Sequence, residues 1–123
     1  MDSEKRIADI LLKNGIKKED RIIVVNPGGN WDLKRWPKEN WKLLVSQLAQ
    51  KDDLKVVISG SKKDIELAQD IAGDLKDKVL ILAGKTDFNE LIALMKRAQT
   101  VISADSGPLH IANSIGTRVV GIF

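Results

Sequence analysis

The sequence predicts an α/β domain, a Rossmann-like three-layer α/β/α sandwich around a five-stranded parallel sheet in the order 3-2-1-4-5. Three observations carry that expectation. Short apolar runs rich in Val and Ile, centred on residues 21–25, 54–59, 78–82, 100–102 and 118–123, read as buried strands. Segments between them repeat apolar residues at helical spacing. The joining loops are short, so each unit closes as a right-handed parallel crossover with helices on both faces of the sheet. In that strand order the winding reverses between the first and fourth strands, and ligands sit over the carboxyl ends at the reversal. The two loops richest in Gly, Pro and polar residues follow those two strands.

Taken in order, residues 2–14 form an amphipathic helix with Ile7, Ile10, Leu11 and Leu12 on one face, Asp2 or Ser3 as cap and Gly15 as stop. Packing on the sheet is its plain role; 1–18 can equally be an interdomain element. The first strand breaks at Asn26-Pro27-Gly28-Gly29-Asn30, and a helix over 37–50 turns Trp41, Leu44, Val45 and Leu48 inward. After the second strand come Gly60-Ser61 and a helix over 62–75; after the third, Ala83-Gly84-Lys85-Thr86. Asp87 and Glu90 have the spacing of a capping box and open a helix that runs through Arg97. The fourth strand leads into Ser103-Ala104-Asp105-Ser106-Gly107-Pro108-Leu109-His110. There Ser106 is a good N-cap, Pro108 suits a first turn, and Leu109, Ile111, Ala112 and Ile115 continue at helical spacing until Gly116.

Composition bounds the function classes. The 123 residues are 43% hydrophobic and 30% charged, enough for one core and one domain. Lys and Arg exceed Asp and Glu by 20 to 17 in an interleaved pattern, which gives no argument for nucleic acid. With no cysteine and one histidine, disulfides are excluded and a zinc site is not expected; no cofactor is expected either. No apolar run approaches the roughly 20 residues of a membrane helix, so the chain reads as soluble and cytoplasmic. The sequence stops at Phe123 inside what reads as a strand, as a truncated piece of something longer would.

The turn at 103–110 is strand, tight polar turn, helix. A helix start of that kind presents unpaired N–H groups and a positive dipole end, which bind phosphates. His110, on its first turn, is either a phosphate contact or proton donor, or an exposed polar residue; Asp105 is either a general base or a brace for the turn. Asn26-Pro27-Gly28-Gly29 lets backbone approach a ligand closely or is simply a tight turn, and its spacing is neither GxGxxG nor a P-loop. Trp31, Trp36 and Trp41 fall within eleven residues, with Lys34 and Arg35 between the first two; Trp41 reads as core, Trp36 as a brace and Trp31 as exposed. Asp64 is first a helix-start charge and secondarily a carboxylate able to hold ribose hydroxyls.

Asn-Pro-Gly-Gly followed by Lys34-Arg35-Trp36-Pro37, a strand ending in Ser59-Gly60, and Ala104-Asp105-Ser106-Gly107-Pro108-Leu109-His110 together resemble glycosyltransferase family 9, the heptosyltransferases of lipopolysaccharide core assembly. The resemblance covers residues 20–123. It implies the C-terminal, donor-binding half of a GT-B glycosyltransferase, with a nucleotide-diphosphate sugar such as ADP-heptose as ligand. It places the diphosphate over Ser106, Gly107 and His110, with Asp105 in the same binding turn, Lys34 near the phosphates, and Lys34 and His110 stabilising the leaving group. Asn26, Gly28, Gly29 and Asn30 would contact the phosphates through backbone or amide groups. Asp64 stands where the family often has a ribose-binding Glu, and Lys85 and Thr86 match the segment lining the base. The family's catalytic base belongs to the N-terminal acceptor domain, outside this sequence, so this piece alone is expected to be inactive. Peripheral membrane contact, at the inner face of the inner membrane, is expected only of the parent; self-association is expected of the piece. A non-catalytic nucleotide-binding or regulatory α/β domain is the alternative. A phospho-receiver is disfavoured, because Asn-Pro-Gly-Gly replaces its acidic cluster.

Overall fold

The computed structural model describes residues 2–28, 36–75, 77–104 and 107–122, with backbone alone for 107–109 and 122. Five strands, β1 (Arg21–Asn26), β2 (Leu54–Ile58), β3 (Val79–Ile81), β4 (Thr100–Ala104) and β5 (Arg118–Ile122), form one sheet in the order β3-β2-β1-β4-β5. Every neighbouring pair is parallel, and the central register sets Val25 opposite Ile58 on one side and Ile102 on the other. The expected strand order and orientation are therefore the observed ones.

The helices are α1 (Ser3–Lys13), α2 (Lys38–Ala49), α3 (Ile65–Ala72), α4 (Phe88–Arg97) and α5 (Gly107–Ser114). Alternation along β1 splits its apolar residues between two layers. Ile23 and Val25 face Trp41 and Val45 of α2 and Ala68 and Ile71 of α3. Ile22 and Val24 face Ile7 and Leu11 of α1, Leu94 and Met95 of α4, and Ala112 of α5. Each buried Val, Ile or Leu contributes about 1.5–3 kcal/mol relative to exposure. This two-sided burial is why the strands read as unbroken apolar runs rather than alternating ones.

Three expectations need correction. Leu12 lies 60% exposed, because α1 buries the narrow stripe Ile7 and Leu11, four residues apart, against the sheet. The single helix expected over 62–75 is a 3-10 turn, Lys62–Asp64, followed by α3, which Gly73 ends. The strand expected over 78–82 is three residues long, matching only Val56, Val57 and Ile58 of its one neighbour. The inward face expected of α2 is observed: Trp41 and Val45 are buried with Ala49, and Leu44 and Leu48 pack half-buried against the same core.

Polar contacts fix the helices on the α1 face. Arg6 Nε lies 3.0 Å from Glu90 Oε2, tying α1 to the start of α4. At the other end of α4, Arg97 Nη2 donates to the carbonyls of Lys17, Lys18 and Asp20 at 2.8–2.9 Å, closing the α1–β1 connection. Thr117 Oγ1 donates to Met95 O at 3.0 Å and couples the entry of β5 to α4. β5 is the sheet edge beside β4, and Val120 on it is 44% exposed.

Candidate functional site

Parallel strands deliver all their following loops to one edge, and here hydrogen bonds continue past the strand ends to lock those loops together. Ser59 N donates to Val25 O at 2.9 Å, Leu82 N to Ile58 O at 2.8 Å, and Gly84 N to Gly60 O at 2.9 Å. Asn26 pairs in register with Ser103 of β4, at the point where the winding reverses. Its side-chain amide, buried, donates to Ser59 Oγ at 3.1 Å. The Asn26 side chain is thus engaged with the neighbouring loop, and the chain runs from it into Pro27 and Gly28.

Asp64 follows β2 at this edge. Ser61 N and Ser61 Oγ donate to its Oδ2 at 2.9 and 3.0 Å, a capping box that opens the 3-10 turn. The residue is 8% exposed although Ser61, Lys62 and Lys63 beside it are exposed. Gly28 covers it: a Cβ built there would lie 2.5 Å from Oδ2 and 2.6 Å from Oδ1. Gly60 packs against the same side chain, its Cβ position 2.9 Å from Asp64 Oδ2. Only residues without side chains allow β1 and β2 loops to close over one carboxylate in this way.

Beyond β3, Gly84 adopts φ +73° and packs against Ile65 and Lys62. Lys85 follows, exposed, and Thr86 is half-buried. Asp87 then caps α4: its Oδ1 accepts from Glu90 N at 2.7 Å, and Glu90 Oε1 accepts from Asp87 N at 2.9 Å. Asp87 thus forms the capping box that its spacing to Glu90 predicts, and Thr86 precedes it.

Across the reversal, α5 begins at Gly107, and His110 on its first turn is exposed. The free N–H groups of such a helix start carry about half a positive elementary charge. Gly29, Asn30, Lys34, Asp105 and Ser106, with Trp31 and Arg35, lie outside the described residues. Trp36 follows that loop and packs edge-on to the buried Trp41, ring centroids 5.0 Å apart at 87°, as a brace would. The strand ends therefore bring Gly28, Asp64, Lys85 and Thr86 to the same edge as Gly107 and His110. Among the described residues no group of His, Asp and Glu is arranged to hold a metal ion, and no helix is long and apolar enough to cross a membrane.

The sequence model of glycosyltransferase family 9 (heptosyltransferase) matches residues 2–123. The chain belongs to that family. Lipopolysaccharide heptosyltransferase 3 of Escherichia coli K12 is 33% identical over 111 residues, covering 89% of this chain and 32% of the relative. Lipopolysaccharide core heptosyltransferase OpsX of Haemophilus influenzae is 30% identical over 103 residues, covering 82% of this chain and 29% of the relative. The crystal structure of a family 9 glycosyltransferase from Veillonella parvula superposes with a TM-score of 0.90 at 26% identity, over 98% of this chain and 34% of that one. The chain thus spans about a third of the length of the family 9 proteins it matches.

The Asn26–Ser59 bond, the seating of Asp64 beneath Gly28 and the Arg97 clamp were not foreseen. The first two depend on the register between β1 and β2. A sequence signal existed for the capping box, since Ser61 and Asp64 stand three apart ahead of an apolar helix.

Proposed function

We propose that this chain is the donor-binding half of a heptosyltransferase acting on the lipopolysaccharide core, and that its ligand is a nucleotide-diphosphate sugar, ADP-heptose by the resemblance. The observation that carries the reading is that β1 and β4 end side by side at the winding reversal, with Asn26 opposite Ser103 and α5 starting at Gly107. The names of the relatives, heptosyltransferases of lipopolysaccharide and of its core, support the reaction class.

In this reading the diphosphate lies over the start of α5, where the N–H groups at Ser106 and Gly107 and the dipole end meet its charge. Asp105 braces that turn. Lys34 supplies a point charge, and Gly28, Gly29 and Asn30 approach the phosphates through backbone or amide groups. Lys85 and Thr86 border the base. In the transfer, an acceptor hydroxyl oxygen attacks the anomeric carbon while the bond from that carbon to the diphosphate oxygen breaks. The acceptor proton passes to a base outside these 123 residues. This chain contributes by holding the donor and by stabilising the negative charge that develops on the departing diphosphate through Lys34, His110 and the α5 start.

Calorimetric titration with ADP and with UDP tests the reading. Binding of ADP, weakened but measurable because one half of the cleft acts alone, and tighter than UDP, is the expected result. Equal failure of both nucleotides to bind would overturn it, and binding without any transfer by the whole protein would favour a regulatory nucleotide-binding domain.

A further inference from the structure

We propose that Asp64 is a positioning residue: its carboxylate, lodged between Gly28 and Gly60 and bonded to Ser61, sets the path of the glycine turn after β1 rather than gripping a bound nucleotide. The inference rests on the donor-site reading above and changes the part that the resemblance gives to this residue.

Four observations carry it. Asp64 is 8% exposed, so little of it is open to a ligand approaching the sheet edge. Its Oδ2 already accepts two hydrogen bonds from Ser61, at 2.9 and 3.0 Å. Both of its oxygens and its carboxyl carbon lie within 2.6 Å of where a Cβ on Gly28 would stand, so the face of the carboxylate is turned toward the Gly28 backbone. Gly60 approaches the same side chain from β2. Beside them, the buried Asn26 to Ser59 bond joins the same two loops one step lower. Together these contacts make a clasp between the ends of β1 and β2, closed at Gly28. A shorter carboxylate than the family's Glu fits such a clasp, because it can turn back onto its own helix start while filling the space left by two glycines.

The geometry makes a prediction that needs no ligand. Gly28→Ala should destabilise the chain because its new methyl meets a carboxylate that the capping box holds in place. In an Asp64→Ala background the three clashing atoms are gone, so the same Gly28→Ala change should cost much less. Equal costs in the two backgrounds, read as denaturant midpoints, would overturn the proposal.

The second arm separates positioning from a merely structural role and from ribose binding. Affinities for ADP, 2′-deoxy-ADP and 3′-deoxy-ADP are measured on wild type, Asp64→Asn and Asp64→Ala at a temperature where circular dichroism shows each fully folded. The proposal expects Asp64→Ala to bind all three ligands more weakly by a common factor of about five or more, with Asp64→Asn, which keeps an oxygen for Ser61, recovering most of the loss. Unchanged affinity in folded Asp64→Ala would overturn the positioning role. A selective loss for ADP that abolishes its advantage over the deoxy ligands would instead make Asp64 a ribose contact and overturn the proposal. Should wild type bind no nucleotide, the donor-site reading fails, and the stability comparison still decides whether the clasp exists.

Discussion

Gly84→Ala is the substitution whose cost the fold defines most fully. Gly84 sits at φ +73°, between β3 and Lys85. An alanine there adopts the left-handed region at about 1–2 kcal/mol. Its methyl would also stand 2.9 Å from Ile65 Cδ1 and 3.1 Å from Lys62 Cα. The isoleucine tip can shift, but the Lys62 backbone is held by the 3-10 turn, so overpacking of about 1–3 kcal/mol is added. Restricting the unfolded chain returns roughly 0.4–1 kcal/mol. The net loss is about 1–4.5 kcal/mol, centred near 3, or on the order of 12 °C of Tm at roughly 4 °C per kcal/mol for a domain of this size. Gly15→Ala is the matched control, since Gly15 has φ +81° and nothing within 4 Å of its Cβ position. It carries the backbone cost alone, so its loss should stay near 1 kcal/mol or below after the same unfolded-state correction. Urea melts of both variants beside wild type make the measurement. Equal losses for the two would show that the turn after β3 does not pack on α3 as described.

Other consequences follow from single contacts. Asp87→Ala removes the Oδ1 acceptor of Glu90 N and should cost about 1 kcal/mol in urea denaturation. Lys34→Ala should weaken ADP by roughly 1.5–3 kcal/mol, tenfold or more, if a charge-assisted phosphate contact is lost, as calorimetry would read. The β5 edge, with Val120 exposed on it, should pair with a second copy as concentration rises. Sedimentation should show that association weakened in Val120→Lys, and a wild type monomeric at every concentration would refute it.

Much of the fold was legible because burial on both faces writes itself as unbroken apolar strands. Residues 21–25 and 100–102 could hardly be anything else once the intervening helical spacing was seen. Errors fell where local pattern and tertiary packing part company. Leu12 is apolar and adjacent to the buried stripe, yet the residues that α1 buries against the sheet are Ile7 and Leu11, with Ile10 packed at their side. The break between the 3-10 turn and α3 follows from the Ser61–Asp64 capping box, whose tight first turn no periodicity reveals. Of the candidate site, the turn at 103–110 and the Asn-Pro-Gly-Gly loop were visible as motifs because glycines and a polar helix start interrupt the apolar strand pattern. The partnership of Gly28 with Asp64 was invisible, since 36 residues separate them and only the β1–β2 register brings them together. Arg97 likewise looked like a helix-end cation, and its three carbonyl partners lie almost 80 residues earlier.

Chemical-shift mapping of an ADP titration tests the central claim most directly, because it asks where the nucleotide sits and not only whether it binds. A decoy is built into the molecule: at the amino ends of β4 and β5 an open hollow of about 620 Å³ is bordered by Lys96, Gln99, Thr117 and Arg118. It too offers positive charge to an anion. The account predicts that amide shifts concentrate at Gly28, Lys85, Thr86, Gly107 and His110, on the carboxyl edge of the sheet, and leave Gln99 and Thr117 unmoved. Shifts confined to Lys96, Gln99, Thr117 and Arg118 would place the nucleotide on the opposite edge and contradict the donor site proposed here.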